Sequence, residues 1–233
     1  MTASVHELLA RLGRALAAPA RIAIMDVLAQ APRSVEDLAA AIGQSVANTS
    51  QHLRILREVR LVNGTRDGLR ITYRLASDDV GALLVGLRQL GEAQMAELRL
   101  ARQAIAAKSA DVACIDRNTL RRLLRAGEVL LIDVRPAEEF AAAHLPGAIS
   151  VPVAELDSAI ASLPKRIEIV AYCRGPYCML AVEAVRAMKR LGRKARRLED
   201  GVTEWRSAGL PIVGGLTVSP SFSKHNMKGS RSS

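Results

Sequence analysis

In the first hundred residues apolar side chains recur at helical spacing. Val5, Leu8, Leu9, Leu12 and Leu16 step by three and four, which predicts a first helix with one apolar face. Pro19 suits the first position of a second helix. Ile22, Met25, Val27 and Leu28 follow it before Ala31-Pro32-Arg33 breaks the pattern. Ser34 stands where an N-cap belongs and opens a third helix, Val35 to Ile42. After the turn Gly43-Gln44-Ser45, Ser45 can cap a fourth that runs to Val59. The period then changes to alternation. Leu61 to Thr65 and Leu69 to Leu75 read as strands, with Arg66-Asp67-Gly68 turning between them. A long helix is expected next, Val80 to about Ala107. Its stripe Val80, Leu83, Leu84, Leu87, Leu90 and Gln94 is apolar until the last position.

Two short helices joined across a Gly-containing turn make a helix-turn-helix, and a hairpin straight after the second helix is a wing. Thr49, Leu53 and Leu56 are expected to face the core. The outward face is then Ala47, Asn48, Ser50, Gln51 and Arg54. Asn48 and Gln51 can each make bidentate contacts to adenine, and Arg54 can contact a phosphate. Arg66 and Arg70 place positive charge on the wing. Across residues 45–74 they join Arg54, Arg57, Arg60 and Arg74, opposed by Glu58 and Asp67 alone, the electrostatic footprint of double-stranded DNA. A solvated charged face is the plainer reading of the same charges. The apolar stripes of the first and last helices need a partner, so a homodimer is expected.

The second half carries a different kind of chemistry. Ile167 to Tyr172 is a short apolar run that opens directly onto Cys173, and a helical stretch, Met179 to Leu191, follows Cys178. A thiol at the end of a strand, facing the N-terminus of a helix, meets backbone N–H groups that favour an anion. Its pKa is expected to fall from about 8.5 towards neutrality, which makes it a nucleophile. Arg174 adds charge beside it. A buried, inert cysteine at a strand end is the alternative. Cys178 closes the loop, either as a thiol that resolves a persulfide on Cys173 or as a small apolar residue of the first helical turn. Cys114 reads as an inert linker cysteine or a receiving thiol.

Three stretches in order resemble the rhodanese family: Asp133-Val134-Arg135 with Glu138-Glu139 and His144-Leu145-Pro146-Gly147-Ala148-Ile149; the strand and loop at Cys173; and Asp200-Gly201 with Trp205 and Gly209-Leu210-Pro211. The resemblance implies an α/β fold with a parallel sheet. It also implies a loop cysteine that takes a sulfane sulfur as a persulfide and passes it to a thiol or cyanide. Two departures stand out. Asp200 replaces a Gly of the usual pair, and Pro176 stands where the loop usually has a Gly, removing one amide of the anion cradle. A phosphatase-type loop would need Arg after Cys173 and five intervening residues, where this chain has Met179. His144 belongs to the rhodanese stretch and reads as structural.

Leu16 to Ile24 and Thr49 to Val62 resemble the ArsR-type winged-helix repressors, which are homodimers built on their first and last helices. Many members sense metals through a Cys pair in the third helix or Asp/His pairs in the last. Val35–Ile42 has no Cys and Val80–Ala107 no His, so neither metal nor cofactor is expected. The fold class expected is therefore two-domain: a mainly α winged helix-turn-helix over 1–107, a linker over 108–115, an α/β rhodanese-like domain over 116–216 and a disordered basic tail over 217–233.

Composition changes this picture little. The net charge of +10 over 233 residues suits a polyanionic partner, and three cysteines suit a reducing compartment. With no leader and no apolar run of spanning length, a cytoplasmic protein without membrane contact is expected. The run Arg186, Lys189, Arg190, Arg193, Lys194, Arg196 and Arg197 could touch flanking DNA or attract an anionic sulfur donor, or be a solvated face. The expected function is a DNA-binding regulator, a repressor by resemblance, that responds to reactive sulfur through Cys173. Its expected partners are operator DNA and a sulfane-sulfur donor or thiol acceptor. The alternative is a sulfurtransferase whose DNA-binding half serves autoregulation.

Overall fold

The computed structural model describes residues 4–214. The amino-terminal half is helical with a small sheet. Helix α1 (Val5–Leu16) starts at a capping box in which Ser4 and Glu7 satisfy each other's backbone N–H. Helix α2 (Pro19–Leu28) carries Pro at its first position. Strand β1 (Arg33–Ser34) leads into α3 (Val35–Ile42), which Ser34 and Asp37 cap in the same reciprocal way. Gly43, at φ 65°, ends α3 in the left-handed conformation that a Cβ would strain. Ser45 then caps α4 (Val46–Glu58), whose buried residues are Thr49, Leu53 and Leu56, as its periodicity requires. Strands β2 (Val62–Asp67) and β3 (Arg70–Leu75) form the wing, and β1 pairs with the far edge of β3. Ile24, Met25, Leu38, Leu53, Leu56 and Leu84 fill the core between these elements. This is a winged helix-turn-helix.

The single long helix expected over Val80–Ala107 is two. Helix α5 (Asp78–Gln94) ends at Met95, which is extended, and α6 (Ala96–Ala107) folds back. Gly91 makes this possible: a Cβ there would lie 2.5 Å from Leu98 Cδ1, so its absence lets α6 close on α5. Arg99 then donates to the Ala93 carbonyl at 3.0 Å, satisfying a group that the helix end leaves open. The wing turn also differs. Its strands reach Asp67 and Arg70, so the tip is Gly68-Leu69.

The carboxy-terminal half is an α/β domain. In chain order it runs β4 (Cys114–Ile115), α7 (Arg117–Arg125), β5 (Val129–Asp133), α8 (Ala137–Ala142), β6 (Ala143–His144), β7 (Ile149–Ser150), α9 (Leu156–Ala159), β8 (Glu168–Tyr172), α10 (Leu180–Arg190), β9 (Ala195–Leu198), α11 (Val202–Ser207) and β10 (Val213–Gly214). Five strands make one parallel sheet in the order β4-β9-β8-β5-β7; β10 and β6 pair separately, antiparallel. Strand β8 runs through the middle and is apolar on both faces, as a covered parallel strand must be. Ile169 and Ala171 enter the core under α10, while Val170 and Tyr172 enter the opposite core with Leu120, Leu131 and Trp205.

The stretch 108–115, expected as linker, joins this domain at its end. Val112 is buried in the core, and Cys114 lies in the edge strand β4 with its side chain exposed. The expected tail over 217–233 lies outside the described residues. Among the described residues no helix is long and apolar enough to cross a membrane.

Candidate functional site

The loop between β8 and α10 forms because a buried strand must leave the sheet at Tyr172 and a helix must begin at Leu180. Cys173 is its first residue and is 3% exposed; Cys178 is half-buried. Gly175 turns the chain at φ 116°, a value open to Gly, and the Cys178 N–H donates back to the Gly175 carbonyl at 3.1 Å. All three cysteines are free.

The Cys173 thiol donates to the Cys178 carbonyl at 3.6 Å, and the side chains of the two cysteines interact, so their acidities separate. That interaction, helped by burial, pushes the Cys173 thiol up. The same interaction, with backbone N–H groups of Arg174 and Leu180, brings Cys178 down to about 6 against the cost of burial. The lowered thiol is therefore Cys178, not Cys173 as expected: the interaction between the two side chains comes first, and burial at the strand end adds to the rise at Cys173. Loop amides still face both sulfurs: Gly175 and Ala181 donate to Cys173. Cys114 is pushed up by burial of its thiol.

Arg174 does not point its charge at the sulfurs alone. Its guanidinium forks onto the carboxylate of Glu139, with Nε 3.0 Å from Oε2 and Nη2 2.6 Å from Oε1. Glu139 is almost fully buried and also meets Arg33 of β1 at 3.5 Å and Arg135 at 3.9 Å. Arg135 is completely buried. It grips Asp133 through Nε and Nη2, donates to the Ala143 carbonyl at 2.6 Å and reaches the side chain of Gln30, just beyond α2, at 3.2 Å. A buried ion pair of this kind needs every hydrogen bond it has to offset desolvation. The Asp133-Val134-Arg135 and Glu138-Glu139 stretch is thus the frame of the loop and also its bridge to the other domain.

The loop faces that other domain. A cleft of about 590 Å³ separates them, lined by Asp26, Gln30, Arg33 and Arg88 on one side and by Arg174, Tyr177 and Cys178 on the other. Arg88 of α5 pairs with Asp26 and with Glu204 of α11, at 3.2 Å in the second case. Burial raises the carboxyl pKa of both Asp26 and Glu204 in spite of that pairing. Tyr177 donates its hydroxyl to Glu92 of α5, and burial with that bond pushes its phenol up to about 12. Arg102 of α6 donates to the Pro176 carbonyl at 3.3 Å and pairs with Glu199. Sequence reasoning missed Arg33, Arg88, Glu92, Arg102, Glu139 and Glu204. Of these, Glu139 and Glu204 lay inside legible motifs.

Gly201 shows why one Gly of the usual pair is kept and the other lost. A Cβ on Gly201 would lie 2.5 Å from the carbonyl carbon of Arg174, against the loop backbone. Asp200 has room for its side chain and pairs with Arg117 at 2.6 Å. His144 donates Nδ1–H to the Phe140 carbonyl at 2.9 Å and stacks on that ring, a structural role.

On the helix-turn-helix, Ala47, Ser50, Gln51 and Arg54 are exposed on one face of α4, with Asn48 partly covered. Asn48 donates its amide to Gln44 at 2.6 Å, and Arg54 pairs with Glu58 along the helix at 3.3 Å. In the wing Arg66 donates to the Gly68 carbonyl, and Arg70 pairs with Asp37 at 3.2 Å. These exposed contacts are each worth little. The basic run of the second domain is different. Arg186 forks onto Asp111, Lys189 donates to the Asp111 carbonyl, Arg193 to that of Ile160, and Arg196 pairs with Glu168. These cations fasten α10 and β9 to their surroundings.

A family model described as rhodanese-like domain matches residues 116–208, and one described as bacterial regulatory protein, arsR family, matches residues 18–64. The HTH-type transcriptional regulator Rv0324 of Mycobacterium tuberculosis is 42% identical over 216 residues, covering 93% of this chain and 95% of its own. A sulfurtransferase of Allochromatium vinosum is 32% identical over 100 residues, covering 42% of this chain and 92% of its own. Among solved structures, the homodimeric winged helix-turn-helix DNA-binding domain of Mb0332 from Mycobacterium bovis shares 32% identity. It covers 42% of this chain and 95% of that one, with a TM-score of 0.38.

Proposed function

The chain belongs to the ArsR-type transcriptional regulators that carry a rhodanese-like domain, and from that premise we propose that it is a cytoplasmic, homodimeric operator-binding protein whose DNA affinity responds to sulfane sulfur. The observation that carries the reading is the Cys173–Cys178 loop, its thiol-to-carbonyl bond at 3.6 Å, with Cys178 lining a cleft whose far wall is the DNA-binding domain. Helix α4 enters the major groove with Asn48 and Gln51 as base readers and Ala47, Ser50 and Arg54 beside them, while Arg66 and Arg70 of the wing hold phosphates. The exposed leucines of α5 and the apolar face of α1 supply the dimer surface: Leu83, Leu87 and Leu90, with Val5, Leu8 and Leu9.

The chemistry needs no metal or cofactor. A loop thiolate attacks the outer sulfur of a donor persulfide R–S–SH; the new S–S bond forms as the old one breaks, and R–SH leaves with the electron pair and a proton. Cys173 is the proposed carrier: its proton passes to the Cys178 thiolate as it attacks, and loop amides and Arg174 balance its charge. The Cys178 thiolate, close by, can then attack the Cys173 sulfur, giving a Cys173–Cys178 disulfide and releasing hydrosulfide. A sulfurtransferase in the ordinary sense, passing the sulfur on to an external thiol, is the second reading. Similarity over the rhodanese-like half to a protein named sulfurtransferase favours it.

The test measures DNA affinity at fixed salt before and after treatment with inorganic polysulfide, in wild type and Cys173→Ser. A shift in wild type that is absent from the variant is expected. Equal affinity in all four samples would leave the second reading in place of the first.

A further inference from the structure

We propose that helices α5 and α6 of the DNA-binding half are positioning elements of the sulfur loop, with Arg102, Glu92 and Arg88 as the residues that hold it. The inference deepens the functional reading above and rests on it for the meaning of the loop, but not for its test.

The loop has few anchors of its own. Gly175 gives it freedom, and Pro176 has no N–H to spend on the neighbouring carbonyls. Its one internal backbone bond joins Cys178 to Gly175. The outer half, Pro176-Tyr177, is fixed from outside. Arg102 donates to the Pro176 carbonyl at 3.3 Å and lies 5.9 Å from the centre of the Tyr177 ring. Tyr177 donates to the Glu92 carboxylate. Beneath the loop, Glu204 packs so close to Gly175 that a Cβ there would meet its carboxylate at 2.6 Å, and Arg88 holds that carboxylate at 3.2 Å. The amides facing Cys178 belong to Arg174 and Leu180, the two ends of this same loop. Their aim depends on where Pro176 and Tyr177 are held. Because α5 also presents Leu83, Leu87 and Leu90 outward, one helix touches the sulfur loop on one side and offers an apolar face on the other. Coupling through it is reciprocal: a change at the sulfurs biases the helix as much as the helix biases the sulfurs.

The experiment is the pH profile of Cys178 alkylation in the full chain, with limiting iodoacetamide and the site read by peptide mass spectrometry. The variants are Glu92→Gln, Tyr177→Phe, Arg102→Ala and Arg102→Lys. The sign of the Glu92→Gln effect separates positioning from simple charge. Removing a nearby negative charge by itself lowers a thiol's midpoint, whereas loosening the loop raises it. Expected is a rise of about half a pH unit or more in Glu92→Gln, Tyr177→Phe and Arg102→Ala, which is roughly a twofold loss of alkylation rate at pH 6 and about threefold well below the midpoint. Arg102→Lys should recover most of the loss, and Cys114 should react at the wild-type rate throughout. Should Arg102→Ala fail to fold, the two conservative variants decide alone. An unchanged or lowered midpoint in both Glu92→Gln and Tyr177→Phe overturns the proposal. If the midpoints rise while polysulfide leaves DNA affinity unaltered, the positioning stands and the sulfur-responsive reading falls.

Discussion

Cys178, not Cys173, has the lowered pKa: the interaction between the two side chains lowers one and raises the other, and burial adds to the rise at Cys173. Cys173 is 3% exposed, whereas Cys178 is half-buried and faces two amides. Alkylation follows the thiolate, so the Cys178 rate should climb as pH rises through about 6. Cys173→Ala removes the side-chain interaction and should move that midpoint up by about one pH unit, a tenfold drop in rate at low pH. An unmoved midpoint in the variant would show that the amides alone set it. At this scale the sequence was informative about place and silent about state. That a thiol follows β8 is legible from the apolar run ending at Tyr172. Which thiol is ionised depends on depth in the sheet and on a contact five residues away, which spacing does not encode. Asn48 and Gln51 illustrate the same limit. Their helix face is readable, but the Gln44 contact of Asn48 is not.

Elements whose ends carry their own chemistry were legible. Ser34 with Asp37 marks the start of α3, and Gly43 marks its end, since the partners lie within a turn of each other. The break at Met95 gave no such signal. Met is neither a cap nor a breaker, and the reason for the bend is the fit of Leu98 against Gly91, seven residues apart across the fold-back. The junction of α11 with the sulfur loop is another fit of this sort. Gly201 begins α11 at an ordinary negative φ, so its need is for space, not for backbone freedom. Gly201→Ala should push the Arg174 backbone outward, costing about 1–3 kcal/mol of stability. It should also blunt the Cys178 alkylation rate at pH 6. Urea unfolding and the same alkylation assay check both, and wild-type values in each would show that the loop can yield without loss.

At the scale of the whole molecule, Leu83, Leu87 and Leu90 of α5 and Val5, Leu8 and Leu9 of α1 are left exposed in the single chain. Leu87→Glu places a charge in the middle of that surface. The variant should sediment as a monomer and bind operator DNA at least tenfold more weakly, with its melting temperature little changed because the side chain lies outside the core. A dimeric Leu87→Glu protein would move the association surface elsewhere. Both domains were readable one at a time, from motifs lying within each. Their mutual embrace was not: Arg33 with Glu138 and Glu139, Arg88 with Glu204, and Arg206 with Asp78 are pairs between residues far apart in sequence.

The bond from Arg135 to Gln30 has a practical consequence for anyone who cuts the chain in two. Arg135 is wholly enclosed, and one of its N–H groups reaches across the boundary for the side-chain amide oxygen of Gln30. A fragment beginning near residue 108 would keep its sheet but leave that N–H open to water, strip Glu139 of Arg33 and strip Glu204 of Arg88. The excised half would therefore report the chemistry of a slackened loop. Its rates would understate the intact protein and would no longer feel anything that happens on DNA.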